Sequence, residues 1–195
     1  MVHPLWILLT AALCVSSAGV HSATREHLMF ETLAERTIYD LADDTPRPSL
    51  RALARYYAQF DVLWPLFQSL QTVPFRIVVR AGGHVTEQRR GQLSVHFDPF
   101  LAVQTRFRRS CVDSPGHCYT VPADALLHEL LHVKQLSERP PLRTHPLGTA
   151  TLEPVILAQE AQLFAAMSAQ DGRPRPLRAD HRGRPRAVRC ALCLN

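Results

Sequence analysis

The first 23 residues, MVHPLWILLTAALCVSSAGVHSA, contain no Asp, Glu, Lys or Arg. Within them Leu5–Val15 forms an apolar run of the length expected for the core of an export signal. Small residues follow, and Val20-His21-Ser22 before Ala23 suits a cleavage site. The run is too short and too soon interrupted to span a bilayer well, so no stable membrane anchor is expected, an uncleaved anchor being the lesser alternative. Leu13 stands where a lipidated Cys14 would need a small residue, so a lipobox is excluded as well. Lys and Arg are also absent ahead of the run, leaving the amino terminus and His3 as its only cationic groups. Residues 1–22 therefore read as an export signal, and the mature chain is expected to be exported, periplasmic or secreted.

Internal repeats are absent too, which excludes solenoids and propellers. The net charge of +5 suggests a nucleic-acid or anionic-surface partner, but its distribution argues otherwise. Seven arginines fall between Arg173 and Arg189, with no aromatic residue among them to stack on a base. The body carries no basic patch of its own, so no nucleic-acid partner is expected. Residues 172–195 read as a disordered Arg/Pro-rich tail with a Cys-x-x-Cys pair. With 46% hydrophobic and 20% charged residues, the rest is ordinary for one globular domain, placed at 23–171.

Cysteine is scarce but even in number once the signal is removed: Cys111, Cys118, Cys190 and Cys193. In an exported chain this favours disulfides. Cys111 and Cys118 bracket Pro115-Gly116, a turn-forming pair, and are expected to form a local staple. Cys190 and Cys193 can pair with each other; the alternative is a structural zinc held by all four thiolates. No thioredoxin-like context surrounds the second pair.

Residues 24–45 have helical spacing at Leu28, Leu33, Ile38 and Leu41. A second helical pattern starts at Ser49 and is expected to break or kink near Pro65. The period then shortens. Pro74–Gly83 reads as a strand, and Gly91–Pro99 as a half-buried or edge strand with Leu93, Val95 and Phe97 on one face. A helix is expected from Pro122 to Leu136 and another from Thr151 to Ala169. The fold class is α+β: N-terminal helices, a small antiparallel sheet with an edge strand, and two further helices.

The sequence ALLHELLHVKQL, Ala125–Leu136, places His128 and His132 four residues apart, on one helix face. Two neutral imidazoles so placed suit Zn2+, and Glu129 beside them suits a general base. A chance match to this pattern is expected roughly 0.02 times in a chain of this composition. The competing explanation is a core helix carrying satisfied histidines.

HELLH resembles the motif of the zincin metallopeptidases, and its context resembles the gluzincin branch; more loosely, the order strand, loop, HELLH resembles small bacterial effector-type metallopeptidases. The resemblance covers about residues 73–170. The glycine and nearby third histidine of metzincins are absent, since His145 lies thirteen residues beyond His132. The resemblance implies a zincin-like fold, Zn2+ as cofactor, His128 and His132 as ligands, Glu129 as catalytic base, and a glutamate on the following helix as third ligand.

Two residues compete for that third position. Glu153 has the gluzincin-like spacing and is favoured; Glu160 is the alternative, or a partner that orients a ligand histidine. On a helical wheel they lie about 20° apart, in the middle of the face carrying Leu157 and Phe164. A buried carboxylate needs a partner. The ordinary explanations are helix-dipole stabilisation for Glu153 and an arginine pair for Glu160. Asp124 could orient a ligand imidazole, although acidic residues are common in a first helical turn. His96, His117, Tyr119 and His145 could reach a cleft, but none has a catalytic role assigned.

The function expected is an exported zinc metalloendopeptidase acting on a protein or peptide substrate, with the Gly91–Pro99 strand pairing an extended substrate. The alternative is a catalytically silent zincin-like protein whose basic tail docks an acidic partner.

Overall fold

The computed structural model describes residues 17–107, 119–138 and 152–194. Cys111, Cys118, His117, His145 and residues 1–16 lie outside them. Among the described residues no helix is long and apolar enough to cross a membrane.

Helix α1, Ser17–Ala34, buries Met29 and Leu33. It ends well short of the expected boundary at residue 45, because Thr37–Tyr39 forms strand β1. Two β-branched residues and a tyrosine suit an extended backbone, and the parallel pairing Thr37↔Ile77 to Tyr39↔Val79 fixes it there. Helix α2, Leu50–Ala58, is capped by Ser49, whose Oγ accepts from the Ala52 amide at 3.1 Å. The second helical pattern breaks at Gln59 and Phe60, earlier than expected. Pro65 instead sits in the first turn of α3, Trp64–Leu70, where its missing N–H costs nothing.

Strand β2 is Phe75–Val79, β3 Val85–Arg89 and β4 Gln92–Phe97. The sheet runs β1-β2-β4-β3, with β1, β2 and β4 parallel and β3 antiparallel to β4. It is therefore mixed rather than antiparallel, because α2 and α3 form a crossover that returns the chain to β2 in the direction of β1. The Gly91–Pro99 strand is not an edge either. β4 is paired on both sides, and the edge belongs to β3. β3 and β4 join through Arg90 and Gly91, both at positive φ (51° and 80°), as a tight hairpin turn requires.

A second sheet, β6-β5-β7, combines β5 (Leu101–Phe107), β6 (Tyr119–Thr120) and β7 (Arg178–Ala187). The tail expected to be disordered thus supplies an edge strand, antiparallel to β5 from Leu101↔Ala187 onward. Pro185 is tolerated in it because an edge strand has one unpaired side. Further along, Leu192 is buried in the main core and Cys190 is disulfide-bonded to Cys193.

Helix α4, Pro122–Ser137, runs through the centre and buries every residue from Pro122 to Leu136 except the half-buried Lys134. Such all-round burial is that of a core helix. It packs on α3, β3, β4, β5 and on α5, Glu153–Asp171. Gly172, at φ 72°, closes α5 with a left-handed cap.

Candidate metal centre

His128 and His132 lie one turn apart on α4, with their Nε2 atoms 3.2 Å from each other. Glu153, in the first turn of α5, brings its carboxylate to both. Oε2 is 3.4 Å from His132 Nε2, and Oε1 is 3.7 Å from His128 Nε2. One ligand atom from each residue lies within 4.8 Å of the others. Zinc bonds to nitrogen and carboxylate oxygen are about 2.0–2.2 Å long, so the edge of a zinc tetrahedron is about 3.4 Å. The two imidazole nitrogens, 3.2 Å apart, and the Glu153 oxygen 3.4 Å from one of them lie close to that edge, and the donor set of two imidazoles and a carboxylate is one that zinc accepts.

The two candidate glutamates do different things. Glu160, 2% exposed, lies two helical turns further along the same face of α5. Its Oε1 lies 3.4 Å from His128 Nδ1, the nitrogen turned away from the cluster, and 3.1 Å from Arg178 Nε. Glu153 faces the Nε2 atoms and Glu160 backs one of the rings. Both readings of Glu160, histidine partner and arginine partner, describe it at once.

Electrostatics favour the ligand form of His128. Burial pushes its pKa below the ordinary imidazole value, and the Arg178 guanidinium pushes in the same direction. Glu160 and Glu129 oppose the shift without reversing it. The ring is therefore held neutral, as metal ligation requires.

Glu129 is 3% exposed. Thr86, on the inner face of β3, places its hydroxyl 2.7 Å from Glu129 Oε2 and 3.1 Å from the Glu129 carbonyl. One hydroxyl has one proton to donate, and the carboxylate is the stronger acceptor. The edge strand thus fixes the carboxylate expected to act as base.

Asp124 does not reach a ligand imidazole. It accepts from the Tyr56 hydroxyl at 2.9 Å and lies 3.3 Å from Arg175 Nε. Arg175 also donates to Asp171 at 2.7 Å and to the Tyr56 hydroxyl at 2.9 Å. His96 turns to the outer face of the sheet, 3.7 Å from Glu87, in a surface pocket that Arg80 and Arg89 also line. Tyr119 packs under the Arg186 guanidinium. None of the three belongs to the cluster.

Sequence reasoning missed Thr86, Arg175 and Arg178. The signal for the arginines was present in outline: Asp124 and Glu160 fall on apolar helix faces, and buried carboxylates call for cations. Nothing in the local sequence marks Thr86.

No protein-family model matches the chain, and no curated protein or solved structure shows significant similarity to it.

Proposed function

We propose that the protein is an exported zinc metallopeptidase of zincin type. The observation that carries this reading is the convergence of His128, His132 and Glu153 within 4.8 Å, beside a buried Glu129. When bound, zinc would supply a Lewis acid that makes a water nucleophilic near neutral pH. The chain's own part is to hold the site and move the proton. His128 and His132 offer their Nε2 atoms, Glu153 offers a carboxylate oxygen, and Glu129 accepts the proton of the water attacking a peptide carbonyl. Thr86 keeps the Glu129 carboxylate in one orientation before substrate arrives.

The exposed side of β3 supports a peptide substrate in particular. It is one of the sheet's two edges, the one next to the base it positions, and an extended peptide can add to such an edge. That role passes from the Gly91–Pro99 strand to β3. The alternative reading, a silent protein docking through a free basic tail, is weakened by the fate of that tail. Arg175 and Arg178 are buried in internal ion pairs.

Glu129→Gln tests the assignment. Glutamine keeps the shape but cannot accept a proton, so zinc content should be retained. Hydrolysis of a mixed peptide library should fall by about 100-fold or more, within the range of a lost general base. A Glu129→Gln protein as active as the wild type would remove Glu129 as the base.

A further inference from the structure

We infer that Arg178, on the C-terminal strand, is a positioning residue of the metal centre: it fixes Glu160, which fixes the ring of His128. The inference rests on the metal-site reading above and extends it to a part of the chain that composition had set aside as an appendage.

The chain of contacts is short and dry. Arg178 Nε lies 3.1 Å from Glu160 Oε1, and the same oxygen lies 3.4 Å from His128 Nδ1. The side chains of Arg178, Glu160 and His128 are 4%, 2% and 0% exposed. Three elements, β7, α5 and α4, contribute one residue each. Among the described residues no hydrogen bond of good geometry reaches Glu160 Oε1, so the guanidinium is what compensates its buried charge. A carboxylate behind a ligand histidine sets the plane of the ring, and its loss typically weakens metal binding about 10–100-fold. A carboxylate with two close partners, one planar and rigid, has little freedom to rotate. Without Arg178 it would lose the partner that holds it against the ring.

The arrangement also explains why β7 must fold back. Arg178 is its first residue, paired with Phe107 of β5, so the strand delivers the guanidinium into the interior as it begins.

The test is zinc affinity, by competition with a chromophoric chelator, on the full chain. Variants are Arg178→Lys, Arg178→Met, Glu160→Gln and Arg178→Met with Glu160→Gln. Arg178→Lys keeps the buried charge but loses the planar fork, and the double variant removes both charges, so neither strands an ion. Arg178→Met should weaken zinc binding about 10–100-fold, and Arg178→Lys less. The double variant should bind no more weakly than Glu160→Gln alone, because Arg178 acts through Glu160. The visible spectrum of the Co2+-loaded Arg178→Lys protein should shift from wild type, which loss of stability alone would not produce.

Wild-type affinity and an unchanged Co2+ spectrum in Arg178→Lys and the double variant would overturn the inference and leave the metal centre standing. Additive losses from Arg178→Met and Glu160→Gln would overturn it as well. A wild-type chain that binds no zinc would instead remove the centre itself.

Discussion

At the scale of residues, the division of labour between Glu153 and Glu160 shows what spacing can and cannot decide. On a wheel the two are nearly superposed, so sequence places both on one face and stops there. The seven-residue step between them advances along the helix axis by about 10 Å, and that translation separates the proposed ligand from the proposed support. Glu153, in the first turn, meets the outward Nε2 atoms, while Glu160, two turns deeper, meets an inward Nδ1. His128, Glu129 and His132 were legible because a motif confined to five residues needs only a helix to assemble it. Thr86 was not legible. Its contact with Glu129 spans 43 positions and depends on strand pairing.

At the scale of elements, α4 was readable almost to the residue, from Pro122 at its start to an end expected at Leu136 and found at Ser137. β3 was not: Thr86-Glu87-Gln88-Arg89 carries no apolar alternation, and its turn, Arg90-Gly91, lacks the usual Asn or Asp. β7 was misread for a related reason. Its composition is that of a disordered segment, but its partners, Glu160 and β5, are supplied from far away in sequence, as is Asp124 for Arg175 just ahead of the strand. The C-terminal segment also meets the start of α4, where the Ala123 amide donates to the Leu192 carbonyl at 3.3 Å. Deleting residues 173–195 should therefore destabilise the whole domain. It strands two buried carboxylates, and breaking a buried pair costs about 3–5 kcal/mol. Set against a typical domain stability of about 5–15 kcal/mol, that should abolish or greatly lower the cooperative thermal transition. A truncated chain that melts at the wild-type temperature would contradict the role given to this segment.

At the scale of the whole molecule, the α+β architecture gathers titratable groups in its interior, and stability should follow pH accordingly. His84 is half-buried against Phe97, with Nε2 at 2.7 Å from the Leu101 carbonyl, and burial lowers its pKa from the ordinary value of 6.5. His128 is lowered for the same leading reason. Below about pH 6.5 the unfolded chain takes up protons that the native chain refuses, so unfolding gains. Stability from this source is complete above that pH and declines as pH falls through the window below it, by up to about 1.4 kcal/mol per pH unit for each proton withheld. Asp124, whose pKa burial raises from 3.8, acts with the opposite sign, over a window that starts at that value. The melting temperature of chelator-treated protein should fall between pH 7 and about pH 5.5, and the slope should be shallower for His84→Gln, which keeps an N–H donor for Leu101. A melting temperature that rises on acidification over this range would refute the account.

The same interior gives the molecule its central claim, that His128, His132 and Glu153 hold one metal ion between α4 and α5. Calorimetric titration of chelator-treated full-length protein with zinc, for the wild type, His132→Ala and Glu153→Ala, tests it most directly. The account predicts one tight equivalent per chain in the wild type and a loss of affinity by orders of magnitude in both variants. A wild type that takes up no zinc, or a Glu153→Ala protein that binds it as tightly as the wild type, would contradict it.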